Sequence, residues 1–158
     1  MSKGDRIEVS RVIAAPAGRL YGMVSDLPRM GQWSTENTGG KWVKGATGPA
    51  VGARFKGSNR SGWRRWSTNV TVTVADPGRE FAFDVTAHGL PVAGWGYRFE
   101  PAEGGTTVTE YWEDHRSPLI AKITGLAVGV NDRGTHNRAA MEHTLASLAA
   151  AAEASPTS

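Results

Sequence analysis

Apolar and polar residues alternate strictly in four stretches of this chain: Trp66-x-Thr68-x-Val70-x-Val72-x-Val74, Phe81-x-Phe83-x-Val85, Trp95-x-Tyr97-x-Phe99 and Val108-x-Glu110-x-Trp112. Period two sends every second side chain to one side of a pleated strand, so each stretch predicts a strand with one apolar, largely aromatic face. Four in series make a meander. Ile7-x-Val9-x-Arg11-x-Ile13 predicts an earlier strand over residues 5 to 13, with Ile7, Val9 and Ile13 inward. The spacing of Leu20, Tyr21, Val24 and Leu27 behind Ala15-Pro16 predicts a short helix over 16 to 24, because proline is tolerated in a first helical turn. Asp26 is placed to cap a second short helix through Pro28, Met30 and Trp33.

The remaining segments complete the outline. A short strand falls around Gly40 to Lys44, and a strand over 53 to 60 has Phe55, Gly57 and Asn59 on one face. Ser61-Gly62 turns the chain into a strand from Trp63 to Ala75, and Asp76-Pro77-Gly78 closes it. Strands over 79 to 87, 93 to 100 and 106 to 115 follow, separated by a loop at His88 to Pro91 and a turn at Ala102 to Gly105. Leu119 to Val130 is apolar but glycine-rich and reads as a loop or broken helix over the sheet. From Asp132 or Arg133 a last helix carries Arg138, Met141, Leu145, Leu148 and Ala152 at three- and four-residue spacing, one stripe facing the sheet. Residues 1 to 4 and 154 to 158 are expected to fray, leaving one domain across the 158 residues.

Composition narrows the chemistry. With 39% hydrophobic and 21% charged residues the chain has ordinary globular usage. The absence of cysteine removes disulfides, thiolate metal sites and a thiol nucleophile. No apolar run approaches about 18 residues, and the start of the chain enters a strand without a leader-like apolar stretch, so a cytoplasmic location is expected. The net charge is +3, and apart from Arg64-Arg65 the basic residues are scattered along the chain, which argues against nucleic acid as a partner. His88, His115, His136 and His143 lack metal-ligand spacing, so no metal and no cofactor is expected. Gly57-Ser58-Asn59-Arg60-Ser61-Gly62 lacks the Gly-Lys-Ser/Thr ending of a phosphate loop and precedes a strand, so it reads as a hairpin turn.

Polar groups on the aromatic face carry the functional question. Glu110 shares its side of the strand with Val108 and Trp112, where desolvation raises a carboxyl pKa toward acid–base use. Two readings stand beside each other: a ligand or catalytic carboxyl, or a structural group paired with an inward arginine or with Asn59. Asn59, inward by alternation, needs partners such as Glu110, Trp66 or a ligand. Glu110 and Asp114 share a face but lie about 13 Å apart along a strand, beyond the roughly 5 to 9.5 Å of glycosidase carboxylates. Trp63 has the opposite parity to its strand's inward residues, and Ser67, Thr71 and Thr73 are expected to face solvent.

Several segments carry a closer resemblance. Ile13-Ala14-Ala15-Pro16, Ser25-Asp26-Leu27-Pro28 with Met30 and Trp33, Gly52-x-x-Phe55-x-Gly57-x-Asn59-Arg60-x-Gly62 with Trp66, and Trp112-Glu113 resemble the polyketide cyclase/dehydrase-like group of the SRPBCC superfamily, which also includes START and birch-pollen-allergen-like proteins. The resemblance covers residues 5 to about 150. It implies an α+β helix-grip fold, a curved seven-stranded antiparallel sheet wrapped around a long C-terminal helix, with two short helices between strands one and two. It also implies a cavity for a hydrophobic or amphipathic small molecule, lipid-like or polyketide-like, in a carrier or sensor. The alternative is a cyclase/dehydrase-type enzyme that moves protons with a cavity carboxylate, for which Glu110 is the candidate. The expected ligand-binding residues are Trp33 on the short helix, Phe55, Asn59 and Trp66 on one hairpin, and Phe83 and Trp95 on the middle strands. Tyr97, Glu110 and Trp112 join them, with Arg138 and Met141 from the last helix. The expected partner is a hydrophobic small molecule, with no stable membrane insertion and a monomeric or homodimeric state.

Overall fold

The computed structural model describes residues 6–32, 37–61, 63–87, 89–115 and 133–154. Strand β1 (Arg6–Ile13) is followed by helix α1 (Ala17–Ser25) and a 3-10 helix (Leu27–Gln32). Six strands come next: β2 (Asn37–Val43), β3 (Arg54–Ser61), β4 (Arg64–Asp76), β5 (Glu80–Ala87), β6 (Leu90–Ala102) and β7 (Gly105–Asp114). Helix α2 (Arg133–Ala154) closes the order. The strands form one antiparallel sheet in the order β1-β7-β6-β5-β4-β3-β2, so the first strand returns to the side of the last and the meander fills the rest.

Alternation governs which side of the sheet is buried. Ile7, Val9 and Ile13 of β1, Phe81, Phe83 and Val85 of β5, and Val108 and Trp112 of β7 all enter one core. Helix α2 packs against β1, β7 and α1 and adds Met141, Leu145, Leu148 and Ala152 to it. Its far end is pinned where the Ala14 backbone N–H donates to the Glu153 carboxylate (3.0 Å). Helix α1 covers the end of β5 and β6, its Tyr21 ring meeting Phe81 and Phe99 edge-on at 6.1 and 6.2 Å. Such edge-to-face contacts suit the ring quadrupole.

Three expectations are corrected. A bulge between Val72 and Val74 breaks the β4 alternation, so Ala75, opposite Phe81, packs on the core in place of Val74. Strand β6 starts at Leu90, earlier than expected, because Ala87 and Leu90 pair across a two-residue connection. Arg138 continues the α2 stripe in spacing but not in burial: it is exposed, whereas Met141, Leu145, Leu148 and Ala152 are buried. Trp33, His88 and the segment Leu119 to Val130 lie outside the described residues.

Candidate functional site

The inner face is best followed rung by rung, since residues opposite one another on neighbouring strands stand side by side. One rung runs Ile7, Trp112, Trp95, Phe83 and Val72 across five strands. The next runs Val9, Glu110, Tyr97, Phe81 and Ala75. Another runs Asp114, Ala93, Val85, Val70, Phe55 and Trp42. The Trp95 and Trp112 rings lie 6.4 Å apart, Phe81 and Phe83 5.8 Å, and Trp42 and Phe55 5.3 Å. Gly40 of β2 leaves room for the last pair: it sits at φ +148°, and a Cβ there would collide with the Phe55 ring and the Lys56 carbonyl.

Into this aromatic surface the fold places the Glu110 carboxyl, which forms no ion pair among the described residues. Glu110 is 3% exposed. The Tyr97 hydroxyl donates to its Oε2 at 3.0 Å, and its Oε1 is buried with no hydrogen-bond partner among the described residues. Burial pushes the Glu110 pKa from 4.5 up to about 8, against a smaller downward pull from the Tyr97 hydroxyl. At neutral pH the side chain is therefore predominantly a neutral acid. Burial, and next the nearby Glu110, likewise push the Tyr97 hydroxyl well above its ordinary value, so it remains a donor. A neutral carboxyl held at Oε2 presents its other oxygen as a donor or an acceptor to whatever lies against it.

The expected site residues divide into two groups. Phe83, Trp95, Tyr97, Glu110 and Trp112 occupy neighbouring positions on β5, β6 and β7, and Met141 reaches the same core from α2. Phe55, Asn59 and Trp66 belong to the β3–β4 hairpin, where Asn59 stands opposite Trp66. Asn59 is half-buried and donates from Nδ2 to the Thr68 hydroxyl at 3.1 Å, not to Glu110, which lies four strands away in the sheet. Among the described residues neither an inward arginine nor Asn59 answers Glu110. Alternation alone puts Thr68 on the face, where it is buried, but reports neither its bond to Asn59 nor the Tyr97–Glu110 bond. The turn residues Glu103-Gly104 were the available signal, because a two-residue turn sets Tyr97 opposite Glu110.

The outer face of the same strands is built differently. Tyr111 lies across Gly96, whose Cβ would occupy the ring's position, and its hydroxyl donates to Glu80. The Arg6 and Arg98 guanidinium carbons stand 4.4 and 5.3 Å from the ring centroid. Both arginines bond Glu8, and Arg6 also bonds Glu113. Among the described residues no group of three or more His, Asp or Glu side chains is arranged to hold a metal ion, and no helix is long and apolar enough to cross a membrane.

Comparison with known proteins agrees with this architecture. The polyketide-cyclase-like protein of Corynebacterium glutamicum, solved by NMR, is 35% identical, with 97% of this chain and 88% of that one covered and a TM-score of 0.54. The di-domain ARO/CYC StfQ of the steffimycin biosynthetic pathway has a TM-score of 0.72 at 14% identity; 94% of this chain is covered, and it spans 50% of StfQ. Ginseng major latex-like protein 151 from Panax ginseng has a TM-score of 0.71 at 10% identity, covering 94% of this chain and 97% of its own. At such identities the last two show the fold alone. No curated protein matches the chain. The family model described as polyketide cyclase/dehydrase and lipid transport matches residues 5–153, and the chain belongs to that family, with a helix-grip-like fold.

Proposed function

We propose that this protein binds a hydrophobic or amphipathic small molecule between the inner face of its sheet and helix α2, as a carrier or sensor. The observation that supports it is Glu110: a buried carboxyl, neutral at pH 7, whose Oε1 lacks a partner among the described residues while the surface around it is aromatic. A buried polar atom left unanswered costs on the order of 1–3 kcal/mol, a cost that a ligand oxygen opposite Oε1 would remove. Burial of apolar ligand surface against Phe83, Trp95, Trp112 and Met141 would supply most of the affinity. Asn59, Trp66 and Phe55 extend the contact toward the β3–β4 hairpin. The ligand this favours is a rigid or lipid-like apolar body carrying one acceptor oxygen.

Displacement of the fluorescent probe anilinonaphthalene sulfonate by a panel of fatty acids, sterols and polycyclic aromatic ketones tests the reading. Displacement by one class, weakened at least about tenfold in Trp95→Ala, supports it. A protein that takes up no probe and no member of the panel overturns it.

The family description and the same carboxyl favour a second reading, a cyclase/dehydrase-type enzyme. A group with a pKa near 8 both gives and takes a proton near neutrality, the property wanted of a general acid–base. Glu110→Gln separates the two: retained binding with lost turnover supports the enzyme, and unchanged turnover of a converted ketone excludes Glu110 as its proton carrier.

A further inference from the structure

The outer face of β2, β3 and β4 carries a different message from the ion-paired outer face of β1, β6 and β7. Between residues 37 and 75 the sequence has no Asp or Glu, yet it holds seven of the 18 Lys and Arg residues. The fold collects five of them on one face. Lys41, Arg54, Lys56, Arg60 and Arg65 alternate with the inward residues of their strands and are all exposed. Lys41 stands directly opposite Lys56, and Arg60 directly opposite Arg65. Like charges opposite one another across strands are destabilising, and an anionic surface would lower that cost for Lys41 and Lys56.

The end of the β3–β4 hairpin, which bears Arg60 and Arg65, also projects. Pairing of β4 with β5 begins at Asn69, so β3 and β4 run on beyond the edge of β5 as a ribbon ending at Trp63. Trp63 is 82% exposed at the tip, and Leu90, 45% exposed, stands at the turn of the next hairpin at the same end of the sheet. A protruding tryptophan beside a row of cations is the pattern of a membrane-interface anchor: the indole settles at headgroup depth while Lys and Arg meet anionic lipid. A single-stranded nucleic acid would instead want aromatic rings set flush along a basic groove, a platform that tip residues do not make.

We infer that the β3–β4 hairpin, with Trp63 at its tip, Arg60 and Arg65 next to the tip and Lys56 further along the same outer face, docks the protein reversibly on an anionic lipid bilayer. The occupant is the bilayer surface itself, and the inference is independent of what the inner face binds.

Co-sedimentation of the full chain with phosphatidylcholine vesicles, with and without about 30 mol % phosphatidylserine, tests it. The wild type binds the anionic vesicles, releases them as salt rises from about 50 to about 500 mM, and ignores the neutral ones. Each cation near the surface is worth roughly fivefold in partitioning, so Lys56→Glu with Arg65→Glu lowers binding by at least about twentyfold. Trp63→Ala lowers it on the order of tenfold. Arg79→Glu, exposed at the opposite end of β4, leaves it within about twofold, and unchanged thermal melts confirm that the variants remain folded. Equal binding to neutral and anionic vesicles overturns the inference, as does wild-type binding by both hairpin variants. Tight binding of an acidic polypeptide or an RNA oligonucleotide with no vesicle binding overturns it too.

Discussion

Two tyrosine–glutamate hydrogen bonds lie on opposite faces of the same strands, and they differ in everything but the side chains. On the outer face Tyr111 donates to Glu80, its ring lies between the Arg6 and Arg98 guanidinium groups, and neighbouring carboxylates answer both arginines. On the inner face Tyr97 donates to Glu110, the register neighbours are Val9 and Phe81, and one carboxyl oxygen is left without a partner among the described residues. The outer pair sits in a network whose charges are matched. The inner pair meets no cation among the described residues and is buried, so its carboxyl holds a proton near neutrality and keeps one oxygen for a further hydrogen bond. Matched polar groups stabilise a sheet; an unmatched one among aromatic rings is where a ligand would be recognised.

The contrast can be broken by substitution, and the largest effect is expected from the inner rings. Trp112→Ala removes a fully packed aromatic and is expected to cost about 3–5 kcal/mol in urea denaturation, whereas Trp63→Ala on the hairpin tip costs less than about 0.5 kcal/mol. Comparable losses at the two positions would mean that the faces are not distinct.

Glu110→Gln gives the next largest effect, and it depends on pH. The folded state holds the Glu110 proton up to about pH 8, while the unfolded chain gives it up near 4.5. The folded state therefore binds more protons between those values, and wild-type stability falls as pH rises across that window by up to about 1.4 kcal/mol per unit from this group. Below 4.5 the contribution is fully present; above 8 it is lost. The glutamine variant should lack this slope and be more stable than wild type at pH 8 by about 2 kcal/mol or more, measured by denaturation at each pH. A wild-type slope retained in the variant would assign it to another group.

Tyr111→Phe on the outer face is the smallest of the three. It removes one hydrogen bond but keeps the ring between its arginines, so it costs about 1 kcal/mol and leaves the pH slope and probe uptake unchanged. An altered probe uptake would show that the two faces communicate.

Much of this contrast was legible in the chain, and the failures have physical reasons. Period-two runs located the strands and their inner residues, because alternation is a local property. The partner of Glu110 lay within reach, since the short turn at Glu103-Gly104 sets Tyr97 opposite it. Asn59 was open to a bond with Glu110 only while strand order was unknown; β3 and β7 are four strands apart, roughly 19 Å at the usual spacing. The bulge near Thr73 leaves the Val-Thr-Val-Thr-Val pattern intact, so nothing in the letters reports that Ala75 replaces Val74 inside. The basic residues read as scattered because the same alternation that exposes them also separates them in sequence, and only register stacks Lys41 on Lys56 and Arg60 on Arg65. Arg138 shows the limit of helical spacing, which predicts a side and not how far along the helix the core extends.

The central claim, that Glu110 meets a ligand as a neutral donor, is tested most directly by native mass spectrometry of the freshly purified protein at pH 6.5 and pH 9, wild type beside Glu110→Gln. The account predicts a copurified hydrophobic small molecule whose occupancy falls at pH 9 in the wild type, where the carboxyl is ionised, and stays constant in the variant. A protein free of any bound mass, or one whose occupancy changes with pH equally in both forms, would contradict it.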